Sequence, residues 1–249
     1  MAGQKLNIHQ PDVEILRHIP LFKGLSTAQL EAIVPLLRRK NYPARYVLMS
    51  QQELGDVIYL LIRGTVKVYI ERPLTADVIL AICGAGEVLG ELNAIDEMGH
   101  TANVETLEPS TLFVVNRHEF RQCLDTMPQL TLNIASNTIR RLRTATMQIQ
   151  SLARQDVYSR VACQLVSFAE QYGEPCSDGT IFIPLRLTQS NLADLIGASR
   201  VRVNQVLNSF KRSRFISVDS SYRITIVNSE ALHKRCEKDY NRLDIRHTS

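Results

Sequence analysis

LTQSNLADLIGASRVRVNQVLNSFKR, residues 187–212, reads as two short helices around a tight turn, and it decides the fold of the C-terminal part of the chain. Thr188 stands where a hydroxyl would cap the first helix, with Leu192, Leu195 and Ile196 at helical spacing behind it. Gly197 ends that helix, because glycine enters the left-handed backbone region without a Cβ penalty, and Ser199 restarts the chain as the cap of a second helix. There Val203, Val206, Leu207 and Phe210 form one apolar stripe. The other side carries Arg200, Val201, Asn204, Gln205 and Asn208, which is a guanidinium, an outward valine and three amides with no carboxylate among them. Arg pairs bidentately with guanine, Asn and Gln with adenine, and an apolar side chain meets the thymine methyl, so this face fits a DNA major groove. An ordinary αα-corner with a solvated polar face has the same periodicity, and the surrounding chain must separate the two.

Beyond the pair, FISV (215–218), a turn at Asp219, Ser220 and Ser221, and RITIV (223–227) predict a hairpin, the wing of a winged helix-turn-helix. Before it, Asp156 can cap a helix carrying Val161, Leu165 and Phe168 that ends near Gly173 and Pro175, and TIFIPL (180–185) reads as a strand. Further upstream a long helix is expected from Pro128. Along it Ala135, Thr138, Leu142, Ala145, Ile149 and Leu152 recur in alternating steps of three and four, a heptad seam on a helix of roughly 40 Å. Arg140, Arg141, Arg143 and Gln150 flank it with polar groups. The seam predicts a parallel coiled coil joining two copies of the chain; the competing reading is an amphipathic helix lying on its own domain.

The N-terminal half changes period. Short helices are expected over about 13–39, with Ser26 ahead of Leu30, Ile33, Leu36 and Leu37. From Tyr46 to Val115, runs such as VIYLLI (57–62), TVKVYI (65–70), DVILAI (77–82), ANVETL (102–107) and TLFVV (111–115) are short, β-branched and separated by glycine corners, which predicts an antiparallel barrel or roll. Arg117 to Thr126 reads as a short helix. The expected architecture is α+β: an antiparallel β-roll with flanking helices over 1–127, a long dimerisation helix over 128–155 and a winged helix-turn-helix over 156–249.

Composition narrows the function. The formal net charge is +4, but residues 181–249 hold twelve Lys/Arg against six Asp/Glu, so the basic surplus belongs to the C-terminal part and favours a polyanion partner there. The start of the chain is polar and no apolar run reaches membrane-spanning length, so a cytoplasmic protein without a membrane partner is expected. Cys83, Cys123, Cys163, Cys176 and Cys236 show no C-x-x-C pair, which predicts no metal site and reduced, buried thiols, with a redox-sensitive thiol as the alternative. No nucleophile elbow, zinc-protease, P-loop or dinucleotide fingerprint is present, so no catalytic residue is assigned.

Four stretches carry a specific likeness: PLFKGLSTAQLEAI, GDVIYLLIRGTVKVY, the cassette GEVLGEL, and IGASRVRVNQVL. On these the chain resembles the cyclic-AMP receptor protein and fumarate–nitrate-reduction regulator (Crp/Fnr) superfamily over nearly its whole length. The R-V-x-V core of the second helix and SLARQDVYSRV are most similar to the cyanobacterial branch of NtcA and DevH. The resemblance implies a homodimer on a palindromic site in double-stranded DNA, working with RNA polymerase. It assigns Arg200 to a guanine, leaves Val201 and Gln205 to set base preference beside Asn204 and Asn208, and makes Thr188, Gln189, Ser199, Lys211 and Arg212 candidates for phosphate contacts.

The same resemblance places an effector cassette at VLGELNAIDEMGHTA (88–102). In the family's nucleotide binders, backbone N–H groups and an arginine hold the phosphate while a glutamate accepts from the ribose. Gly90, Glu91 and Leu92 match; Asn93 replaces a small residue, and His100, followed by Thr101, stands where the arginine belongs. A histidine with a reference pKa of about 6.5 is mostly neutral at pH 7, so a charge-assisted contact worth roughly 1.5–3 kcal/mol is lost and phosphate-anchored cyclic-AMP binding is disfavoured. By position Arg141 corresponds to a 2-oxoglutarate contact in the NtcA branch, and Thr146 to a hydroxyl that meets adenine in cyclic-AMP receptors. Each has a plainer reading, as a solvated flank and a seam neighbour. No cofactor is certain: 2-oxoglutarate, a nucleotide or another metabolite fits the cassette, as does a vacant pocket with control by a regulatory protein partner, redox state or abundance. The expected function is that of a dimeric, sequence-specific transcription regulator; the alternative is a sensor or adaptor whose DNA binding is weak or non-specific.

Overall fold

The computed structural model describes residues 10–72, 77–96 and 98–237. Its described elements run as an antiparallel β-roll, a long helix and a helix-turn-helix. Helices α1 (Gln10–Arg17) and α2 (Thr27–Ile33) precede the roll. Ser26 and Gln29 close α2 with a capping box, the Ser26 hydroxyl accepting from Gln29 N at 3.3 Å and Gln29 Oε1 accepting from Ser26 N at 2.9 Å. The roll strands are β1 (Arg38–Tyr42), β2 (Val47–Met49), β3 (Val57–Arg63), β4 (Val66–Ile70), β5 (Val78–Cys83), β6 (Val88–Leu89), β7 (Asn103–Thr106) and β8 (Ser110–Asn116), with the one-turn helix α3 (Asn93–Asp96) between β6 and β7. Helices α4 (Arg117–Thr126) and α5 (Pro128–Arg154) follow. The last part holds α6 (Val157–Tyr172), β9 (Glu174–Pro175), β10 (Ile181–Ile183), α7 (Gln189–Ile196), α8 (Arg200–Arg212), β11 (Ile216–Val218), β12 (Ile224–Ile226) and α9 (Ser229–Glu237).

By internal contacts the chain groups into two units, one formed by the segments up to Val66 and from Ala85 to Leu142, the other by Lys67 to Gly84 and from Arg143 onward. Lys67 to Gly84 is thereby grouped with the C-terminal part of the chain. The cause is local: the segment ending β5 packs on the helix-turn-helix, so close that a Cβ on Gly84 would stand 3.1 Å from a ring carbon of Tyr172 and closer still to Leu185.

In the first unit, one antiparallel sheet has the order β1-β8-β3-β6, with Tyr59 opposite both Val114 and Leu89. β1 corrects the sequence reading, which ran helices to residue 39. Its residues RRKNY are exposed almost throughout, and pairing to β8 is all that makes them a strand. Leu16, Phe22, Leu30, Ile58, Leu60, Phe113, Phe120 and Leu130 form the buried core, so the first turn of α5 is anchored there. In the second unit the sheet β11-β12-β10-β9 carries the wing, with Ile216 opposite Ile226 and Val218 opposite Ile224.

The thiol expectation needs a correction. Cys163 of α6 and Cys236 of α9 form a disulfide, their Cα atoms 4.9 Å apart across a sequence separation of 73. Cys83 and Cys123 are free and buried, and Cys176 is free and exposed. Among the described residues no helix is long and apolar enough to cross a membrane, and no cluster of His, Cys, Asp and Glu is arranged to hold a metal.

Candidate nucleic-acid interface and effector cassette

The helix pair is built from local chemistry. The Thr188 hydroxyl accepts from Asn191 N at 3.1 Å and donates to Asn191 Oδ1, which commits both of its roles to starting α7. Gly197 ends α7 at φ 62°, ψ 49°, the left-handed conformation that favours glycine. Ser199 then caps α8, its hydroxyl oxygen accepting from Arg202 N at 3.2 Å. Val203, Val206, Leu207 and Phe210 are buried, which turns the opposite face of α8 outward. Ser199, Arg200, Val201, Asn204, Gln205, Lys211 and Arg212 are exposed, Val201 by 69%, while Gln189 and Asn208 are half-buried. No carboxylate lies on α8, and its last turn carries Lys211 and Arg212.

Arg202, which the sequence reading passed over, belongs to this face. It donates to Gln205 Oε1 at 3.1 Å and lies 5.4 Å from the centre of the Tyr158 ring. Gln205 therefore presents its amide N–H₂ outward more readily than its carbonyl. Asn208 likewise donates to Asn204 Oδ1 at 3.4 Å. The wing turn is closed by Asp219, whose Oδ1 accepts from Ser221 N and Arg223 N, both at 2.8 Å.

Gly90, Glu91, Leu92, Asn93, His100, Thr101 and Arg141 all belong to the first unit, and Arg141 meets Glu91 directly. Gly90 takes φ 83°, and a Cβ there would come 2.7 Å from Met49 Cε and 3.3 Å from the Val57 carbonyl. Glu91 is 2% exposed, and its Oε1 accepts from Arg141 Nη1 at 2.7 Å. Arg141 also donates through Nη2 to Glu87 Oε2 at 3.2 Å and to the Val88 carbonyl. Arg140 donates to the other oxygen of Glu87 at 2.7 Å. Two buried carboxylates thus face two partly exposed guanidiniums. Burial pushes the Glu87 carboxyl up, but Arg140 and Arg141 outweigh it and hold it below the ordinary range. At Glu91 burial wins over Arg141 and leaves the carboxyl raised. The sequence reading did not assign Glu87 to the site, and it took Arg140 only as a polar flank of the seam. A carboxylate directly before the apolar strand Val88–Leu89 was the available signal, since a buried acid there needs a cation.

Asn93 is buried; its Nδ2 donates to the Gly55 carbonyl at 2.9 Å, and its Oδ1 has no partner among the described residues. The His100 ring packs on Gly55, where a Cβ would overlap it. Burial lowers the His100 pKa against the opposing pull of Glu53, so the imidazole is neutral at pH 7. Thr101 is exposed beside it. Thr146 lies in the second unit, exposed on α5, and Glu97 of the cassette loop lies outside the described residues.

The seam residues Ala135, Thr138, Leu142, Ala145, Ile149 and Leu152 are all exposed on α5. Leu132 and Ile139, at 60% and 51% exposed, extend the stripe beyond the residues read from the sequence.

Residues 39–127 match the cyclic nucleotide-binding domain and residues 159–235 the Crp-like helix-turn-helix domain. The chain is 28% identical over 222 residues to a CRP-like cAMP-activated global transcriptional regulator of Mycobacterium tuberculosis, covering 89% of this chain and 98% of that protein. It is 28% identical over 190 residues to the cyclic AMP receptor protein of Thermus thermophilus, covering 76% and 84% respectively. Among solved structures it resembles FixK2 of Bradyrhizobium japonicum, with a TM-score of 0.69 at 18% identity over 80% of this chain and 96% of that one. A CooA variant of Carboxydothermus hydrogenoformans gives a TM-score of 0.65 at 22% identity, over 85% and 91%. At those identities the two structures speak for the fold alone.

Proposed function

We infer, for a chain that belongs to the Crp/Fnr family of transcription regulators, that it acts as a cytoplasmic homodimer reading a palindromic promoter site through Arg200, Val201, Asn204, Gln205 and Asn208 of α8. The observation that carries this reading is the outward face of α8, where a guanidinium, an exposed valine and amides stand together with no acid to repel phosphate. Gln189, Ser199, Lys211 and Arg212 are assigned to the DNA backbone, and RNA polymerase is the protein partner of the bound regulator. Thr188, with its hydroxyl committed to Asn191, acts by shaping the turn.

The effector differs from the nucleotide named for the Mycobacterium relative. A neutral His100 offers a phosphate no charge, and Arg141 already occupies Glu91, the carboxylate a ribose would use. An anion that draws Arg141 away from Glu87 and Glu91 is the ligand chemistry this arrangement favours. A dicarboxylate such as 2-oxoglutarate has it, in keeping with a place in the NtcA/DevH-like branch.

Selection of bound fragments from the genomic DNA of the source organism, repeated with cyclic AMP, cyclic di-GMP and 2-oxoglutarate, tests both halves of the reading. A shared palindrome is expected, with a shift in occupancy under 2-oxoglutarate alone; fragments without a common motif would defeat the regulator reading. On the selected operator, Arg200→Ala is expected to weaken binding by about 1–3 kcal/mol per half-site and to relax the preference for guanine.

A further inference from the structure

We propose that Cys163 and Cys236 are a reversible thiol–disulfide switch that sets how firmly the recognition helix is held. The pair joins α6 to α9, the last described element, and it stands in a protein expected in the cytoplasm, where disulfides that form are mostly transient or redox-sensing. Both cysteines are half-buried and line a cavity of about 520 Å³ that also borders Gln155 and Arg160, so a reductant has a path to the sulfurs.

The contacts around the pair lead to α8. Gln155, in the link between α5 and α6, donates through Nε2 to Cys163 Sγ at 3.5 Å and to the Cys236 carbonyl at 3.3 Å, while its Oε1 accepts from the Ser151 hydroxyl. Next to Cys236, Arg235 pairs with Asp156 at 3.0 Å and lies 5.3 Å from the centre of the Tyr158 ring. Asp156 caps α6, accepting from Ser159 N at 2.7 Å. Tyr158 in turn packs edge-on against Phe210 of α8, ring centres 6.0 Å apart, and carries Arg202 on its face. Releasing Cys236 from Cys163 therefore loosens Arg235, and with it the α6 cap and the aromatic seat of α8.

The chemistry balances with a dithiol as reductant. A thiolate of the dithiol attacks one sulfur of the pair, forming a mixed disulfide and expelling the other sulfur as a thiolate that takes up a proton. The second thiolate of the dithiol then closes on its partner and releases the remaining cysteine as a thiol. Two electrons pass to the chain and the dithiol ends as a disulfide.

The test uses the full-length Cys176→Ser protein, which removes the one exposed free thiol, in dithiothreitol buffers of graded redox poise. Alkylation with peptide mapping reads Cys163 and Cys236, and fluorescence anisotropy reads affinity for the selected operator. The two sites are expected to become reactive together, with operator affinity at least about fivefold lower in the reduced form. Cys163→Ser/Cys236→Ser should show the reduced affinity at every poise; if that variant does not fold, the titration of the parent protein decides alone. Free thiols at both positions under oxidising conditions, or an affinity that does not fall on reduction, would overturn the proposal. The affinity readout rests on the regulator reading, so hydrogen exchange is measured in parallel. If neither form binds DNA, the regulator reading fails, and the switch stands or falls on whether α9 and the Gln155 link lose protection on reduction.

Discussion

Arg141 does at close range what its place in the chain left open between a solvated flank and an effector contact. It neutralises two acids that burial would otherwise make costly, Glu91 and Glu87, at 2.7 and 3.2 Å. Removing one partner of a fully buried pair costs about 3–5 kcal/mol; because the Arg141 side chain is 36% exposed, Arg141→Met is expected to destabilise the fold by about 1–3 kcal/mol. Adding Glu91→Gln should recover part of that loss, since the stranded charge is gone, and chemical denaturation of the four proteins of this cycle reads the coupling. An Arg141→Met protein as stable as the parent would show that the acids are satisfied without it. His100 makes the opposite kind of contribution. Burial holds its folded pKa below the ordinary value, so the unfolded chain takes up the proton first. The stability linked to His100 is therefore present above about pH 6.5 and is lost as the pH falls from there toward the folded pKa. Denaturation midpoints at pH 7.5 and 5.5 should differ less in His100→Gln than in the parent protein, and an unchanged difference would remove His100 as the cause.

At the scale of elements, legibility followed the strength of the local signal. The helix Arg117–Thr126 and the pair α7–α8 were readable because a capping side chain precedes an apolar stripe in each, and Gly197 stops α7. β1 was not, because an edge strand of exposed polar residues is defined by its pairing to β8, which no local pattern encodes. β6 and α3 were hidden for a related reason, being two and four residues long inside a loop-like cassette. The cassette was legible as a motif, yet its Glu87–Arg140–Arg141 network was not, since its ion pairs span 53 and 54 positions. The disulfide crosses 73 positions with no spacing motif. Gly197 is the element-scale feature most open to test. An alanine there must adopt φ near 62° and set its Cβ 3.1 Å from Leu152 Cδ2. Gly197→Ala is expected to lower stability by about 1–2 kcal/mol, with Gly197→Asn less costly because asparagine tolerates this conformation. Thermal unfolding that ranks asparagine no better than alanine would show that the contact with Leu152, and not backbone conformation, sets the cost.

At the scale of the whole molecule, one α8 is too small a reader. Each good bidentate contact discriminates by about 1–3 kcal/mol, and a single helix places only a few side chains on base edges. Two readers on half-sites about one helical turn apart, roughly 34 Å, reach specific affinity because the second binds at high effective concentration. The stripe of Leu132, Ala135, Ile139, Leu142 and Ile149 is what can hold two copies together: Leu142 and Ile149 stand 67% and 68% exposed, an apolar surface that costs free energy in water and none when paired. Leu142→Glu with Ile149→Glu places like charges on that seam while leaving the buried anchors of α5, Leu130 and Ile134, untouched. The double variant is expected to sediment as a folded monomer and to lose about 10²-fold or more in operator affinity. It should keep salt-sensitive, sequence-independent binding through its basic C-terminal part, with about half the parent protein's dependence on log salt, as expected when one copy in place of two releases counterions. A variant that stays dimeric would move the interface off this seam, and a monomer that binds the operator as tightly as the parent would remove the need for two readers.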